Sequence, residues 1–315
     1  MSLRKGAETV IRQCLNVQED EEVVIVTDGI DQGIIDSLVN VSREQAADTE
    51  LIEYPEPENH GQEPPQRVAE AMKESDVFIA PTKKSLSHTL ARINACEAGA
   101  RGATMPGIDR AVWKDSLQTD YSRVKDISEK VYSLLEGTET IHITTSSGTD
   151  LKIDVDIEFY EKDTGIIHNP GDFGNLPAGE ADGGSLNARG TLVIDQLVFD
   201  RNAEGSEVEI RDNKVVAIEG EENRLEEKFN EIPGARNIAE FGFGTNPGAK
   251  LIGNLLQDEK VLGTVHVAFG DNSSYLPEGD ERRVECDIHW DAVCIEPTVR
   301  FDDRVVIDEG EPTFL

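Results

Sequence analysis

The stretch EEVVIVTDGIDQGIIDSLVNVSREQAADTELIEY, residues 21–54, changes period twice and sets the fold of everything around it. Val23, Val24, Ile25 and Val26 form an unbroken apolar run ending at Asp28, the pattern of a short strand buried on both faces. Ile34, Ile35, Leu38 and Val39 then recur at helical spacing, and TELIEY returns to a strand. Outward from there the alternation continues. QRVAEAMKES reads as a helix, DVFIAP as a strand, SLSHTLARINACEAGA as a helix and RGATMPG as a short strand closed by Pro106 and Gly107. Strands and helices alternating across short connections predict a parallel sheet covered on both faces, Rossmann-like by topology. No GxGxxG follows the first strand, so a dinucleotide site there has no support. YPEPENHGQEPP reads as an exposed loop. Lys83, Lys84, Ser85, Ser87 and His88 fall where a strand gives way to a helix. Ser85 reads as a helix cap, and the basic residues as candidate substrate contacts.

A helix with Val124, Ile127, Val131 and Leu134 on one stripe runs from Tyr121 to Glu136 and stops at Gly137. Beyond it the period becomes two: Leu151, Ile153, Val155 and Ile157 interleave with Asp150, Lys152, Asp154 and Asp156. TLVIDQLVF, SEVEIRDNKVVAIEG, GTVHVAFG, CDIHWDAV and DDRVVIDEG continue as strands, with RDNK as a hairpin turn. Helices are expected around Arg224 to Phe229 and in PGAKLIGNLL. The expected organisation is an α/β domain over residues 1–136 and a mostly β domain over 137–315.

The chain carries 63 acidic and 30 basic residues, a formal net charge of -33. Such a surface repels phosphate backbones and anionic lipid, which argues against nucleic-acid and membrane partners. The acids are spread along the chain between periodic apolar residues, a pattern suited to solubility in concentrated salt and expected of a halophilic source. Cys14, Cys96, Cys286 and Cys294 form no CxxC pair, so neither a disulfide framework nor a zinc ribbon is indicated. MSLRKGAETVIRQ lacks a secretory apolar region and no apolar run reaches membrane-spanning length, so a cytoplasmic protein is expected.

Residues 239–291 hold the strongest chemical signal. His289 and Asp291 in CDIHWDAV are two apart on a strand and share a face, and His266 in GTVHVAFG sits between two valines. Imidazoles and carboxylates gathered from separate strands suit a divalent transition metal. Histidines among apolar residues also occur as hydrogen-bonded structural groups, and His-x-Asp arises by chance. Glu240 in NIAEFGFGTNP and Glu180 in the turn-rich GNLPAGEADGG add carboxylates. The Gly242–Gly248 segment superficially resembles a phosphate cradle, but Pro247 removes a donor and no Lys-Ser/Thr follows. His60, His142 and His168 show no partner pattern, and Cys286 faces away from His289.

GNLPAGE, AEFGFGTNP, DEKVLGTVHVAFG and DIHWD, in that order and with SLSHTLARINACEAGARGATMPG before them, resemble the thermophilic metalloprotease family of aminopeptidases, the aminopeptidase T and S group. The resemblance spans nearly the whole chain. It implies a dimeric, metal-dependent aminopeptidase with two divalent ions, zinc, cobalt or manganese. Their ligands would be Glu180, Glu240, His266, His289 and Asp291, with a peptide as substrate. Asp291 is then the expected bridge, Glu180 or Glu240 the general base, Glu259 a partner orienting a histidine and Lys260 an oxyanion stabiliser. The family is longer and places a ligating tyrosine soon after the first histidine's strand. Here Asn272 stands near that place and Tyr275 later. Dihydroxypyridine ring-cleaving dioxygenases resemble the same family and use one ferrous ion, which His266, His289 and Asp291 would hold. A non-catalytic binding protein with a degenerate site is the third expectation.

Overall fold

The computed structural model describes residues 3–197, 203–220 and 224–315. The chain folds into two units. One comprises Met1–Asp126, Asp163–Ala178 and Asn246–Ile252, and the other Ile127–Lys162, Gly179–Thr245 and Gly253–Leu315. The division falls inside the Tyr121–Leu135 helix, whose end is the boundary expected from sequence.

The first unit is built on a five-stranded parallel sheet in the order Asp48–Glu53, Glu22–Thr27, Val77–Ala80, Arg101–Thr104, Phe173–Asn175. The central Val77–Ala80 strand is buried throughout, as its unbroken apolar run requires. Asp31 caps the Gln32–Gln45 helix by accepting from the backbone N–H groups of Gly33 and Ile34. The helix expected from Ser85 begins instead at Leu90, and Thr89 is its cap. Ser85 is used in a local turn, its hydroxyl accepting from Ser87 N at 3.2 Å. At the end of the first strand the Asp28 carboxylate accepts from Lys83 N and Lys84 N at 2.6 and 3.0 Å. Asp28 thereby ties the end of the first strand to the segment that follows the Val77–Ala80 strand.

The second unit contains two sheets. Eight antiparallel strands lie in the order Lys214–Glu219, Glu207–Arg211, Leu186–Val193, Asp150–Asp154, Thr140–Thr144, Thr298–Phe301, Arg304–Asp308, Glu311–Pro312. Six lie in the order Gln196–Leu197, His289–Cys294, Val265–Gly270, Ile238–Gly244, Glu180–Gly184, Tyr160–Asp163. One apolar cluster joins them: Ile141, Leu151, Ile153, Val208 and Val299 from the first pack with Phe241, Phe243, Val265, Val267 and Phe269 from the second. The RDNK turn forms as expected, with Asp212 and Asn213 both at positive φ, the backbone a two-residue hairpin needs.

Two expectations fail locally. PGAKLIGNLL is not a helix; Gly248, and Gly253 at φ +80°, break the run, and only Leu255–Asp258 is helical. The Gly242–Gly248 segment, expected as a loop between strand and helix, begins inside the Ile238–Gly244 strand. The strand expected over TLVIDQLVF is split at Ile194, and its last two residues, Val198 and Phe199, lie outside the described ones. Among the described residues no helix is long and apolar enough to cross a membrane.

Candidate metal centre

Strand register brings the candidate residues together. Cross-strand partners in an antiparallel pair share a face, and so do alternate residues of one strand. Gly242 pairs with Asp182 on one side and His266 on the other, and Gly244 pairs with Glu180. Ala268 pairs with both Glu240 and Asp291, and Gly270 with His289. Glu180, Asp182, Glu240, His266, His289 and Asp291 therefore occupy one face of the six-stranded sheet, while Phe241, Phe243, Val265, Val267 and Phe269 pack into the core behind it.

A glycine is required at 242. A Cβ there would stand 2.0 Å from Cε1 of His266, so the bare backbone lets the imidazole lie across the strand. His266 Nε2 is thereby 3.0 Å from Glu240 Oε1 and 3.7 Å from Glu180 Oε2. On the far side of Glu240, His289 Nε2 is 2.7 Å from Oε2 and 3.4 Å from Asp291 Oδ1. His289 Nδ1 donates to the Asp271 carbonyl at 2.8 Å, which places one proton on Nδ1 and turns Nε2 toward the carboxylates.

The electrostatics follow from this crowding. Burial alone would raise the Glu240 carboxyl, but hydrogen bonds from His266 and His289 outweigh it and hold the group well below the usual carboxylate range. Burial likewise opposes charge on His266, yet Glu240, with Glu180 and Asp291 behind it, pushes the imidazole up to about 10. His289 is raised in the same sense, by Asp291 and Glu240 against burial. Protons thus stand on nitrogens facing carboxylate oxygens, the places a cation would take.

Two donor groups result, each with ligand atoms within 4.8 Å of one another: Glu180, Glu240 and His266, and Glu240, His289 and Asp291. Glu240 is common to both, and Asp291, expected from sequence as the bridge, belongs to one. Lys260 is buried and its ammonium is held by Glu180 Oε1 at 2.9 Å and by Glu259. Glu259, read from sequence as orienting a histidine, holds that lysine instead, and burial pushes its carboxyl up to about 7. Asn272 is structural: its carbonyl oxygen accepts from Val284 N at 2.6 Å and its amide donates to Arg282 O at 3.1 Å. Tyr275 donates to Asp182 Oδ2 at 2.8 Å. Asp182 and Asp271 were missed in the sequence; the even spacing of Asp182 from Glu180 was the available signal for the first, and the second acts through its backbone. Three other histidines have structural partners. His142 meets Asp150, His168 meets the Gln13 carbonyl and His60 accepts from Ser85 N.

Two imidazoles and three carboxylates fit a divalent transition ion such as zinc, manganese, cobalt or ferrous iron. The family model described as NicX, 2,5-dihydroxypyridine 5,6-dioxygenase, matches residues 3–313. A search of curated proteins gave no match. Among solved structures, a 2,5-dihydroxypyridine dioxygenase from Pseudomonas putida KT2440 superposes with a TM-score of 0.78 at 18% identity, over 99% of this chain and 96% of that one. AmpT from Thermus thermophilus superposes with a TM-score of 0.72 at 18% identity, over 99% and 98%. At that identity the two share the fold with this chain.

Proposed function

We propose that the chain, which by its family match belongs to the family described as NicX, 2,5-dihydroxypyridine 5,6-dioxygenase, is a metal-dependent enzyme, and, from its two donor groups and not from that description, that its site takes two divalent cations and removes N-terminal residues from peptides. One observation carries this reading: each oxygen of Glu240 faces a different histidine, and each histidine has a further carboxylate of its own, Glu180 for His266 and Asp291 for His289. A carboxylate so placed suits a bridge between two ions. Likeness in fold to AmpT supports the same reading.

Glu180, Glu240 and His266 would hold one ion, and Glu240, His289 and Asp291 the other. When bound, paired ions supply a water of lowered pKa and polarise a carbonyl. The chain's own residues do the rest. The Asp271 carbonyl fixes the His289 tautomer, and Gly242 sets the His266 ring.

The second reading is ring cleavage by one ferrous ion held by His266, His289 and Asp291, favoured by the family description and the Pseudomonas neighbour. It asks Glu240 to leave the space between the two imidazoles or to join the same ion.

Assays of the chain loaded with zinc, cobalt, manganese or, under anaerobic conditions, ferrous iron separate the two. Release of p-nitroaniline from leucine p-nitroanilide, with two ions per chain, is the expected result. Oxygen uptake with 2,5-dihydroxypyridine at one iron per chain would replace the first reading by the second.

A further inference from the structure

The two halves of the site are not equivalent, and the difference rests on two independent contacts. The first is Lys260. It is 1% exposed, and its ammonium lies 2.9 Å from Glu180 Oε1, so one of the two oxygens that carboxylate offers is already committed to a fixed positive charge. Glu259 closes the ion pair from the other side. A lysine buried between two carboxylates does not swing away, because its ammonium would lose both partners out of water and Glu259 would lose its ion pair.

The second contact is one that His266 lacks. Ligating histidines are steadied by a hydrogen bond from the ring nitrogen that does not bind the metal, and its loss typically weakens metal affinity ten- to a hundredfold. His289 has this support in the Asp271 carbonyl. Nδ1 of His266 is buried and has no hydrogen-bond partner among the described residues. The His289 side chain is also 33% exposed where that of His266 is 1% exposed, so the better-supported half is the one nearer solvent.

Building on the two-ion reading, we infer that Glu240, His289 and Asp291 form a tight resident seat and that Glu180, Glu240 and His266 form a weak, exchangeable one, with Lys260 as the positioning residue that sets the gap. Occupancy of the second seat, and with it hydrolytic competence, then follows the free metal concentration. Lys260 acts by holding Glu180 to a single free oxygen and by placing a positive charge where an incoming cation must approach.

Calorimetric titration of the metal-stripped full chain with Co(II) and with Zn(II), together with metal counting after dialysis, tests this. Wild type should bind two ions in resolved steps separated by about tenfold or more. Glu180→Gln should lose the weaker step alone, and Asp291→Asn the tighter. The double variant Lys260→Met with Glu259→Gln, which removes the ion pair as a unit, should strengthen the weaker step about tenfold or more while the tighter step moves little. Lys260→Met alone should do the same if it folds, as judged by circular dichroism and melting. Equal affinities in wild type, or a weaker step unmoved in a folded double variant, would overturn the inference while leaving the two-ion reading standing. If wild type takes one ion only, the two-ion reading fails for that chain. A second ion gained by the double variant would then still support the role of Lys260, and none gained would end both.

Discussion

The two faces of the six-stranded sheet are made by the same strands and face opposite requirements. Behind it, Phe241, Phe243, Val265, Val267 and Phe269 are fully buried and join the other sheet in one apolar core. In front, the residues between them are Glu240, Gly242, His266 and Ala268, with Asp182 and Glu180 beside them. The middle of the front face is almost as buried as the back: Glu240 is 4% exposed, His266 1% and Asp291 5%. Burial therefore separates the faces less than pairing does. Charges are kept out of water on the front only because each carboxylate meets an imidazole, an ammonium or a phenol, the condition under which buried charge is tolerated. Period two in the sequence is what lets one set of strands serve both ends.

Substitutions on opposite faces should therefore fail in different ways. The largest effect is expected from His289→Ala, which removes a donor from the tight half of the site: activity should fall by roughly 10³-fold or more, and elemental analysis should find the metal gone. A folded, metal-replete and active variant would contradict the assignment. Gly242→Ala comes next. Its methyl would have to displace the His266 ring, so metal affinity at the inner half should drop about ten- to a hundredfold, the scale on which misplaced ligands act. Unchanged titration curves would show that the ring can give way.

On the back face, Phe241→Ala should cost about 3–5 kcal/mol of stability by leaving a cavity, read as a lower melting temperature, while metal stoichiometry stays as in wild type. If it lost metal instead, the two faces would be coupled rather than independent.

Protons sharpen the same contrast. His266 binds its proton up to about 10 and His289 is raised too, so metal must displace protons at neutral pH and affinity should climb as pH rises from about 6 to 9, with protons released to buffer. In the metal-free chain the folded value for His266 lies above the ordinary 6.5. Its contribution to stability is complete below 6.5 and is lost as pH rises through about 10, a loss that melting curves of the stripped protein should register.

The smallest expected effect is from salt. A net charge of -33 repels itself less as screening grows, so melting temperature should rise with potassium chloride above about 0.1 M, where the Debye length is near 10 Å. A fall would remove the basis for expecting adaptation to concentrated salt.

How much of this was legible depended on whether information was local. The Glu22–Thr27 and Val77–Ala80 strands announce themselves by apolar runs, their parallel neighbours by the alternation with helices, and the RDNK turn by composition. The fifth strand, Phe173–Asn175, is three residues long and joins from a distant part of the chain, so no period marks it. His289 and Asp291 share a face on any strand, and that relation was readable. The role of Glu240 at the junction was not, because it depends on the register of three strands, set by long-range pairing. Lys260 was noticed beside the site, but whether it faced a substrate or Glu180 is decided by tertiary contact alone. Thr89 displaced Ser85 as helix cap for a similar reason, since Asp28 ties down the two residues before Ser85 and the Ser85 hydroxyl is used in the turn at Ser87.

The most direct test of the central claim is a crystal structure of the chain equilibrated with Co(II) or Zn(II), with anomalous data collected at the metal edge. Two anomalous peaks, one beside Glu180 and His266 and one beside His289 and Asp291, with a Glu240 oxygen on each, is the result this account predicts. A single peak held jointly by His266, His289 and Asp291, with Glu240 turned aside, would contradict it.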